Sequence, residues 1–371
     1  MSGSIYGSIF KIATWGESHG KGIGVVVDGC PAGLNLSEEM IQTYLDRRKP
    51  GQTKYATPRT ESDKVEILSG TFEGKTTGTP ISMVVRNTNQ QSADYSDIAN
   101  YYRPGHADYT YDAKYGFRDY RGGGRASGRE TIGRVAAGAI AKEILKQLGI
   151  NVCAYTKSIA HISIDYKNCS PENILISPLA MPDLQASEAA KALLDQKMEE
   201  SNSVGGIVEC IISGMPAGVG EPVFEKLDAN LAKAIMSVGA VKGIEFGSGF
   251  DVANMTGFQN NDKFYNNGSG KILKTTNHAG GILGGISDGS EIIFRAAIKP
   301  TPSIGQTQDT VTKSGENIKV NIKGRHDPII VPRAVVVIEA MTAITLVDML
   351  FMSMTSRMDN IKKFFNPHNS D

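Results

Sequence analysis

The chain has 371 residues, of which 40% are hydrophobic and 21% charged. This composition is typical of a globular protein with a large core and excludes a disordered or fibrous one. Its 39 basic residues balance 39 acidic residues, so no net field would attract nucleic acid or an anionic membrane. The four cysteines form no Cys-x-x-Cys pair, and the first residues include no continuous apolar run of a secretory signal. We therefore expect reduced thiols and a cytoplasmic protein.

The first predicted element is a strand-turn-strand. An alternating stretch from Ser8 to Trp15 and a valine-rich run from Ile23 to Asp28 predict two strands, joined by Gly16-Glu17-Ser18-His19-Gly20. The turn presents a hydroxyl and an imidazole together, and its glycines allow close approach of a ligand. Gly-x-Ser-x-Gly also matches the nucleophile elbow of the α/β-hydrolases, but that elbow needs a helix after it. A polar hairpin turn without function is the structural alternative.

A helix with acidic residues at its start and cations at its end is predicted from Ser37 to Lys49. Residues 50–62 follow as a loop that carries Lys54 and Arg59 and has little apolar content. We expect this loop to be mobile and to lie over an anionic ligand, although a solvated basic surface would have the same composition. A strand follows at Thr79–Arg86.

Five arginines surround Gly122-Gly123-Gly124: Arg118, Arg121, Arg125, Arg129 and Arg134. The glycines allow close approach and the guanidinium groups make bidentate contacts, which together favour a phosphate or carboxylate ligand. The segment is not a Walker loop, because Arg129-Glu130 stand where Lys and Ser/Thr are required. Ser127 and Glu130 have the spacing of a capping box, which predicts a helix from Ser127 to Gly149.

Two stiff loops carry further titratable groups: Arg103-Pro104-Gly105-His106-Ala107-Asp108, and Gly324-Arg325-His326-Asp327-Pro328. Because histidine exchanges a proton near neutral pH, His19 and His106 are candidate general acids, and Asp327 could orient or accept. The histidine spacings match no zinc or iron motif, so no metal site is predicted.

The organisation of the chain indicates a duplication. Gly29-Cys30-Pro31-Ala32-Gly33 recurs as Gly214-Met215-Pro216-Ala217-Gly218, each followed by an amphipathic segment. We predict one domain with pseudo-repeated halves of about 1–150 and 204–360 and a peripheral elaboration of about 165–203. Strands in hairpin-like pairs between helices predict an α+β fold, in which a helical core layer lies between antiparallel sheets.

The stretch Ala334–Thr355 is apolar over about the length that a bilayer requires. It contains Glu339 and Asp348, each of which would cost roughly 3 kcal/mol at the centre of a membrane. We therefore predict a core helix.

Five ordered motifs resemble the chorismate synthase family over about 300 residues. They are Gly16-Glu17-Ser18-His19-Gly20, Arg103-Pro104-Gly105-His106-Ala107-Asp108, Arg121-Gly122-Gly123-Gly124-Arg125-Ala126-Ser127-Gly128-Arg129-Glu130, Asn277-His278-Ala279-Gly280-Gly281-Ile282-Leu283-Gly284-Gly285 and Arg325-His326-Asp327-Pro328. The resemblance implies an anti-1,4-elimination of phosphate from 5-enolpyruvylshikimate-3-phosphate to give chorismate. It also implies reduced FMN as cofactor without net redox change, a homotetramer, and helices sandwiched between antiparallel sheets.

The resemblance further implies roles for single residues. His19 would assist the departing phosphate, His106 would protonate the reduced flavin, and Ser18 with Asp327 would relay a proton at flavin N5. The implied flavin contacts are Arg125, Ala126, Ser127, Gly239, Ala240, Gly284, Lys299, Pro300, Thr301, Pro302, Ser303 and Arg325. Ala126 and Gly239 stand where Ser and Asn are frequent, so each position lacks a side-chain hydrogen bond that relatives can make.

Four basic residues are implied to contact substrate or NADPH: Arg48, Lys54, Arg129 and Arg134. Arg48 and Lys54 match positions linked to NADPH in members that reduce their own flavin. No extra reductase domain is visible, so we expect an external flavin reductant, with NADPH acting only indirectly and Arg48 and Lys54 gating the substrate. The alternative is a serine hydrolase or a phosphoanion-binding protein built on Gly16–Gly20.

Overall fold

A computed structural model describes residues 3–56, 61–87, 97–268, 270, 272–322 and 327–366. Its helices are α1 (Glu38–Arg48), α2 (Asp108–Tyr115), α3 (Thr131–Gln147), α4 (Asn173–Ile176), α5 (Leu184–Glu199), α6 (Leu227–Met236), α7 (Gly257–Asn260), α8 (Val331–Ser353) and α9 (Met358–Phe365). The strands of the first half are β1 (Ile5–Tyr6), β2 (Lys11–Gly16), β3 (Gly22–Asp28), β4 (Val65–Ile67), β5 (Thr71–Phe72), β6 (Lys75–Thr76) and β7 (Ile81–Arg86). Those that follow are β8 (Asn151–Ile159), β9 (Ile162–Ser163), β10 (Gly206–Ser213), β11 (Val241–Phe246), β12 (Phe264–Asn266), β13 (Ile272–Lys274), β14 (Ile282–Leu283), β15 (Ile286–Ser287), β16 (Ile292–Ile298), β17 (Thr307–Val311) and β18 (Asn317–Asn321).

Two five-stranded antiparallel sheets enclose a layer of helices. The first sheet has the order β1-β2-β3-β7-β4, and the second has the order β11-β16-β10-β8-β9. Helix α3 packs on β2, β3 and β7, whereas α8 packs on β8 and β10, and the two helices pack on each other. Their apolar residues are buried almost all round, as expected for helices covered on both sides. The predicted α+β sandwich is confirmed.

The two halves repeat the same arrangement. In chain order, the first half has β2, β3, α1, β4, β7 and α3, and the second half has the corresponding elements β8, β10, α6, β11, β16 and α8. The order of the strands within the sheets also corresponds: it is β2-β3-β7-β4 in the first sheet and β8-β10-β16-β11 in the second. Even single hydrogen bonds recur: the Thr76 hydroxyl donates to the Pro31 carbonyl over 2.6 Å, and the Ser287 hydroxyl donates to the Pro216 carbonyl over 2.6 Å. A duplicated chain would have this pattern, while the domain limits stay a prediction.

Helix α8 is long and apolar enough to cross a membrane, yet 83% of its most apolar window is buried within the structure. Its two acids have protein partners. Glu339 accepts hydrogen bonds from Arg47 at 2.8 Å and Lys142 at 2.9 Å. Asp348 accepts from the backbone N–H groups of residues 8, 9 and 10 at 2.7 to 3.0 Å. The helix therefore lies in the core of the sandwich, as predicted.

The predicted capping box at Ser127 is wrong in detail. Ser127 caps a 3₁₀ turn, Gly128–Glu130, and accepts a hydrogen bond from the Arg129 N–H. The Glu130 carboxylate pairs with Arg134 at 3.0 Å instead of reaching back to the cap, and α3 begins only at Thr131. A side-chain ion pair one helical turn ahead has taken the carboxylate that the capping box would use.

Candidate active site

The turn at residues 16–20 brings Ser18 and His19 together. Gly16 ends β2 with φ +84°, a conformation that glycine adopts without strain, and β3 begins at Gly22. Ser18 is buried, and its Oγ lies 3.1 Å from Nδ1 of His19. Because a strand and not a helix follows the turn, the strand-turn-helix context of a hydrolase nucleophile elbow is not present.

The glycine-rich segment 122–124 lies against this turn. A Cβ placed on Gly122 would fall 2.3 Å from Nδ1 of His19, so only glycine lets the backbone approach the imidazole this closely. Arg125 donates to the Gly16 carbonyl over 3.1 Å and to the Thr14 hydroxyl over 2.6 Å. The segment predicted to cradle an anion therefore lies beside His19.

Asn87 supports the same turn from the other side. Its amide nitrogen donates to the carbonyl oxygens of Glu17 at 2.9 Å and Gly20 at 2.8 Å. Its amide oxygen accepts from Arg129 at 2.8 Å. Sequence reasoning missed Asn87, since a single asparagine at the end of a strand has no distinguishing pattern.

A buried ionic network continues from Arg129. Arg129 pairs with Glu61 and, at 3.1 Å, with Asp63, which in turn accepts from Arg48 over 2.5 Å. Both arginine side chains are nearly inaccessible to solvent, at 7% for Arg129 and 1% for Arg48. Direct contact of either guanidinium with substrate stays a prediction.

Asp327 lies at the far side of this network. Its carboxylate is 3.5 Å from Arg333, which also donates to the Arg48 carbonyl over 3.1 Å. Burial and the neighbouring Arg48 charge hold the pKa of Arg333 below its usual value, while Asp327 partly offsets them. A chain of contacts thus leads from Asp327 to the turn that carries Ser18 and His19. It passes through Arg333, Arg48, Asp63, Arg129 and Asn87.

The arginine cluster is not one cradle, because most of its members have their own acidic partners. Arg118 is buried against Asp108 at 3.0 Å and Asp112 at 3.3 Å, and Arg121 pairs with Asp119 at 2.7 Å. This corrects the expectation of five converging guanidinium groups. The sequence could not give the Arg118 pairings, since they depend on how the loop turns back on α2.

Arg134 joins the two halves of the molecule. Besides Glu130, it contacts Ser237, whose hydroxyl lies 2.6 Å away just after the end of α6. Gly239 and Ala240 follow, and the Ala240 carbonyl accepts from the N–H of Lys299 over 2.9 Å. The start of α3 is therefore connected to the loop 299–303, whose contact with a flavin is implied by the resemblance and stays a prediction.

His106 lies against this loop. Its Nε2 is 2.9 Å from Oγ of Ser303, and its Nδ1 is 3.0 Å from the Pro104 carbonyl oxygen. Lys299 donates to the Gly105 carbonyl over 2.8 Å. Burial, with the nearby Arg103 charge, lowers the pKa of His106 from 6.5 to about 4, so the ring is neutral at pH 7.

The surroundings of several predicted flavin contacts show whether a polar ligand would fit there. Thr301 Oγ1 is buried and has no hydrogen-bond partner among the described residues. Gly239 has open space where a side chain would be, and Ala240 holds a left-handed φ of +72° beside it. Ala126 is exposed, and Ser127 is partly buried at the adjacent turn. An open backbone surface with an unpaired buried hydroxyl suits a planar ligand rich in hydrogen-bonding atoms.

Gly284 lies apart from this group. It forms the turn between β14 and β15, and the next residue, Gly285, accepts from the N–H of Leu227 at the start of α6 over 2.8 Å. Gly239 and Ala240 follow the other end of α6, a helix of 10 residues that is about 15 Å long. Within one chain, Gly284 is therefore about a helix length from Gly239 and Ala240, and its contact with a flavin stays a prediction, while Arg325 lies outside the described residues.

Lys54 reaches the peripheral segment. Its ammonium group is 2.8 Å from Asp195 on α5, and both side chains are substantially exposed. They border a cleft of about 600 Å³ together with Tyr55, Pro178 and Lys191. Arg59 of the same loop lies outside the described residues.

Among the described residues, no group of three or more His, Cys, Asp or Glu side chains is arranged to hold a metal ion. His161 is exposed, and His278 contacts the Asn260 carbonyl at 3.1 Å.

Comparison with known proteins agrees with this geometry. The family model described as chorismate synthase matches residues 10–351. The chain is 72% identical to the chorismate synthase of Lachnoclostridium phytofermentans over 98% of this chain and 100% of that protein. It is 50% identical to that of Cytophaga hutchinsonii, covering 95% and 99% of the two chains. A crystal structure of chorismate synthase superposes with a TM-score of 0.76 at 32% identity over 98% of each chain. The chain therefore belongs to the chorismate synthase family, a family of lyases.

Proposed function

We propose that this protein converts 5-enolpyruvylshikimate-3-phosphate to chorismate and phosphate by a 1,4-elimination. The observation that carries the proposal is the similarity to chorismate synthases over almost the entire chain. The structure supports it by connecting His19 and His106 through the start of α3 and the loops 237–240 and 299–303.

Reduced FMN is the cofactor we propose. When bound, it would supply and recover the electron that lets phosphate leave and a non-acidic hydrogen be removed, which side chains alone cannot do. Arg125, Ser127, Ala240 and the loop 299–303 would hold it, with the unpaired hydroxyl of Thr301 available for a hydrogen bond. Backbone N–H groups would have to replace the side-chain contacts that Ala126 and Gly239 lack.

His19 would assist the departing phosphate. Its contact with Ser18 and the close approach of Gly122 restrict the orientation of the imidazole. A protonated imidazole held in one orientation stabilises developing negative charge on a leaving group without reorganisation during the reaction. Ser18 and Asp327 would pass a proton through the region that the buried arginine network supports.

His106 would exchange a proton with the cofactor. Because its pKa is about 4 in the free protein, the ring must take up a proton before it can donate one. An anionic ligand nearby raises the pKa of a histidine, so a bound anion would favour this uptake. The neutral resting state is thus compatible with a role as acid only in the liganded enzyme.

Gly284 is about one helix length from Gly239 and Ala240 within one chain, so a ligand that contacts all three must extend over that distance or meet Gly284 from a second copy. We propose a cytoplasmic homotetramer supplied with reduced flavin by an external reductant, with NADPH acting only through that reductant.

The proposal is tested by incubating the purified protein anaerobically with 5-enolpyruvylshikimate-3-phosphate and with FMN that is either oxidised or reduced by dithionite. Chorismate and phosphate should appear in equal amounts, and only with reduced FMN. His106→Ala and His19→Ala should each lower kcat, on the order of 100-fold or more, while the exposed His161→Ala serves as the matched control and should not. Phosphate without chorismate would show hydrolysis and overturn the proposal.

A further inference from the structure

Both ring nitrogens of His106 have a partner. Nδ1 lies 3.0 Å from the Pro104 carbonyl oxygen, and Nε2 lies 2.9 Å from the Ser303 hydroxyl oxygen. A carbonyl oxygen can only accept a hydrogen bond, so a neutral ring must have its proton on Nδ1. Nε2 is then a bare nitrogen that accepts from the Ser303 hydroxyl. The two contacts together select one tautomer.

We propose that Ser303 is a positioning residue for His106, and that it makes Nε2 the atom at which the ring gains and loses its proton. This deepens the proposed function and rests on it for the use of that proton. A serine hydroxyl donates to a bare nitrogen and, after rotation about its Cβ–Oγ bond, accepts from an N–H. Ser303 can therefore partner both states, while the Nδ1 proton stays on the Pro104 carbonyl. The ring gains one proton at Nε2 and releases one from Nε2, so protons balance over a cycle.

Both sides of the contact are held firmly in place. The Ser203 hydroxyl donates to the Thr301 carbonyl over 2.7 Å, which fixes the loop that carries Ser303. On the other side, Arg103 donates to Asp108 at 2.8 and 2.9 Å across the turn that contains His106. A Cβ on Gly105 would fall 2.8 Å from Cβ of Pro302, so the two loops are in close contact. Such support keeps the hydrogen bond between Ser303 and His106 at one geometry.

The surrounding charges agree with a neutral ring. The cations Arg103 and Lys299 face His106 from its own loop and from the loop 299–303, and the anion Asp108 is itself paired with Arg103 and Arg118. Burial and these cations disfavour an imidazolium. At pH 7 the free protein should therefore have the tautomer that the two hydrogen bonds select.

The first experiment records nitrogen NMR spectra of the cofactor-free full chain labelled with ¹⁵N-histidine, with His106→Gln to assign the signal. At pH 7 we expect a neutral ring with a protonated Nδ1 and a bare, hydrogen-bonded Nε2. A proton on Nε2 with a bare Nδ1, or an imidazolium, would overturn the proposal. This readout needs no cofactor or turnover, so it fails or succeeds independently of the proposed reaction.

The second experiment compares variants. In Ser303→Ala the Nε2 resonance should move toward the value of a nitrogen without a hydrogen bond, and in Ser303→Thr it should stay near wild type. Ser203→Ala is the matched control, because it loosens the same loop without touching His106. If Ser203→Ala gives the same change, or Ser303→Ala gives none, Ser303 does not position the ring.

Activity measurements distinguish the proposed reaction from the positioning role of Ser303. With reduced FMN, kcat should fall about tenfold in Ser303→Ala and recover in Ser303→Thr, as expected for the loss and return of one positioning hydrogen bond. An inactive wild type with the expected tautomer would contradict the proposed function alone. An active wild type with an unaffected Ser303→Ala would contradict the positioning role alone.

Discussion

Gly122 contacts the imidazole of His19, and this contact can be tested by one methyl group. In Gly122→Ala the new Cβ would lie 2.3 Å from Nδ1 and 2.4 Å from Cε1 of His19, and the residue has φ +143°. The ring must move, and a displacement of about 1 Å at a catalytic group costs on the order of 100-fold in rate. We expect a loss of that size in kcat, measured with reduced FMN, in a protein that still folds.

Gly128→Ala is the control for this substitution, because a Cβ there meets nothing within 4 Å and its φ is not in the left-handed range. It should retain activity near that of wild type. A Gly122→Ala enzyme as active as Gly128→Ala would show that the position of the His19 imidazole does not limit turnover.

The depressed pKa of His106 predicts a pH-dependent contribution to stability. In the unfolded chain this histidine binds a proton below pH 6.5, whereas the folded protein binds it only below about pH 4. Between these values the unfolded state holds more protons, so the free energy of unfolding decreases as the pH falls from 6.5 to 4. The contribution is at most about 3 kcal/mol, and less because the ring is partly exposed.

Urea unfolding of wild type and His106→Gln at pH 7.5 and pH 4.5 isolates this term. The wild type should lose more stability than the variant on acidification, by up to about 3 kcal/mol. Equal losses in the two proteins would mean that His106 titrates as in the unfolded chain.

The sequence identified candidate site residues but not the residues that pair with them. Ser18 and His19 are adjacent in the chain, so their contact follows from local geometry. Arg48 donates a hydrogen bond to Asp63, and Arg129 donates one to Asn87. The partners in each pair are far apart in the sequence, so these contacts depend on the tertiary fold. That is also why the expected anion cradle became a set of separate ion pairs.

The Asn87 amide connects the end of β7 with the turn at residues 16–20. Asn87→Ala would leave the Glu17 and Gly20 carbonyls and the Arg129 guanidinium without their hydrogen bonds to the amide. Each lost bond to a buried group costs about 1–3 kcal/mol, although water can replace some of them. We expect kcat to fall at least tenfold, because the turn that presents His19 is loosened.

Asn168→Ala is the matched control for Asn87→Ala, since Asn168 is exposed on the peripheral segment and its amide makes only a weak contact of 3.5 Å with Gln185. It should leave kcat unchanged. If both variants are equally active, the amide bridge does not hold the turn in its productive geometry.

The elements with the clearest patterns agree with the sequence predictions. Strand β7 spans Ile81–Arg86, within the predicted Thr79–Arg86, and α1 begins after Ser37, whose side chain accepts from the Met40 N–H. The start of α3 was wrong because a Ser-x-x-Glu pattern is also compatible with a 3₁₀ turn. The sequence could not show that Gly284 lies about one helix length from Gly239 and Ala240, since the positions of these residues at opposite ends of α6 are known only from the folded structure.

The sandwich as a whole depends on close contact between α3 and α8. Gly138 on α3 faces Ala340 on α8, and a Cβ on Gly138 would fall 2.3 Å from Cβ and 2.5 Å from Cα of Ala340. Alanine favours a helix by about 1 kcal/mol over glycine, so propensity alone predicts stabilisation. The clash with backbone should outweigh it, and we expect Gly138→Ala to lower the free energy of unfolding by about 1–3 kcal/mol.

Chemical denaturation measures this effect, with Gly257→Ala as the control. Gly257 begins α7 on the surface, and a Cβ there meets nothing within 4 Å, so that variant should be as stable as wild type. A Gly138→Ala protein that is more stable than wild type would contradict the close packing of the two central helices.

The proposed elimination uses reduced flavin without consuming it. The most direct test is to count chorismate molecules formed per reduced FMN, under strict anaerobiosis, after the excess reductant has been removed. We expect many chorismate molecules per flavin, with the flavin still reduced at the end and phosphate equal to chorismate. One chorismate or fewer per flavin, with oxidised flavin accumulating in step, would contradict it.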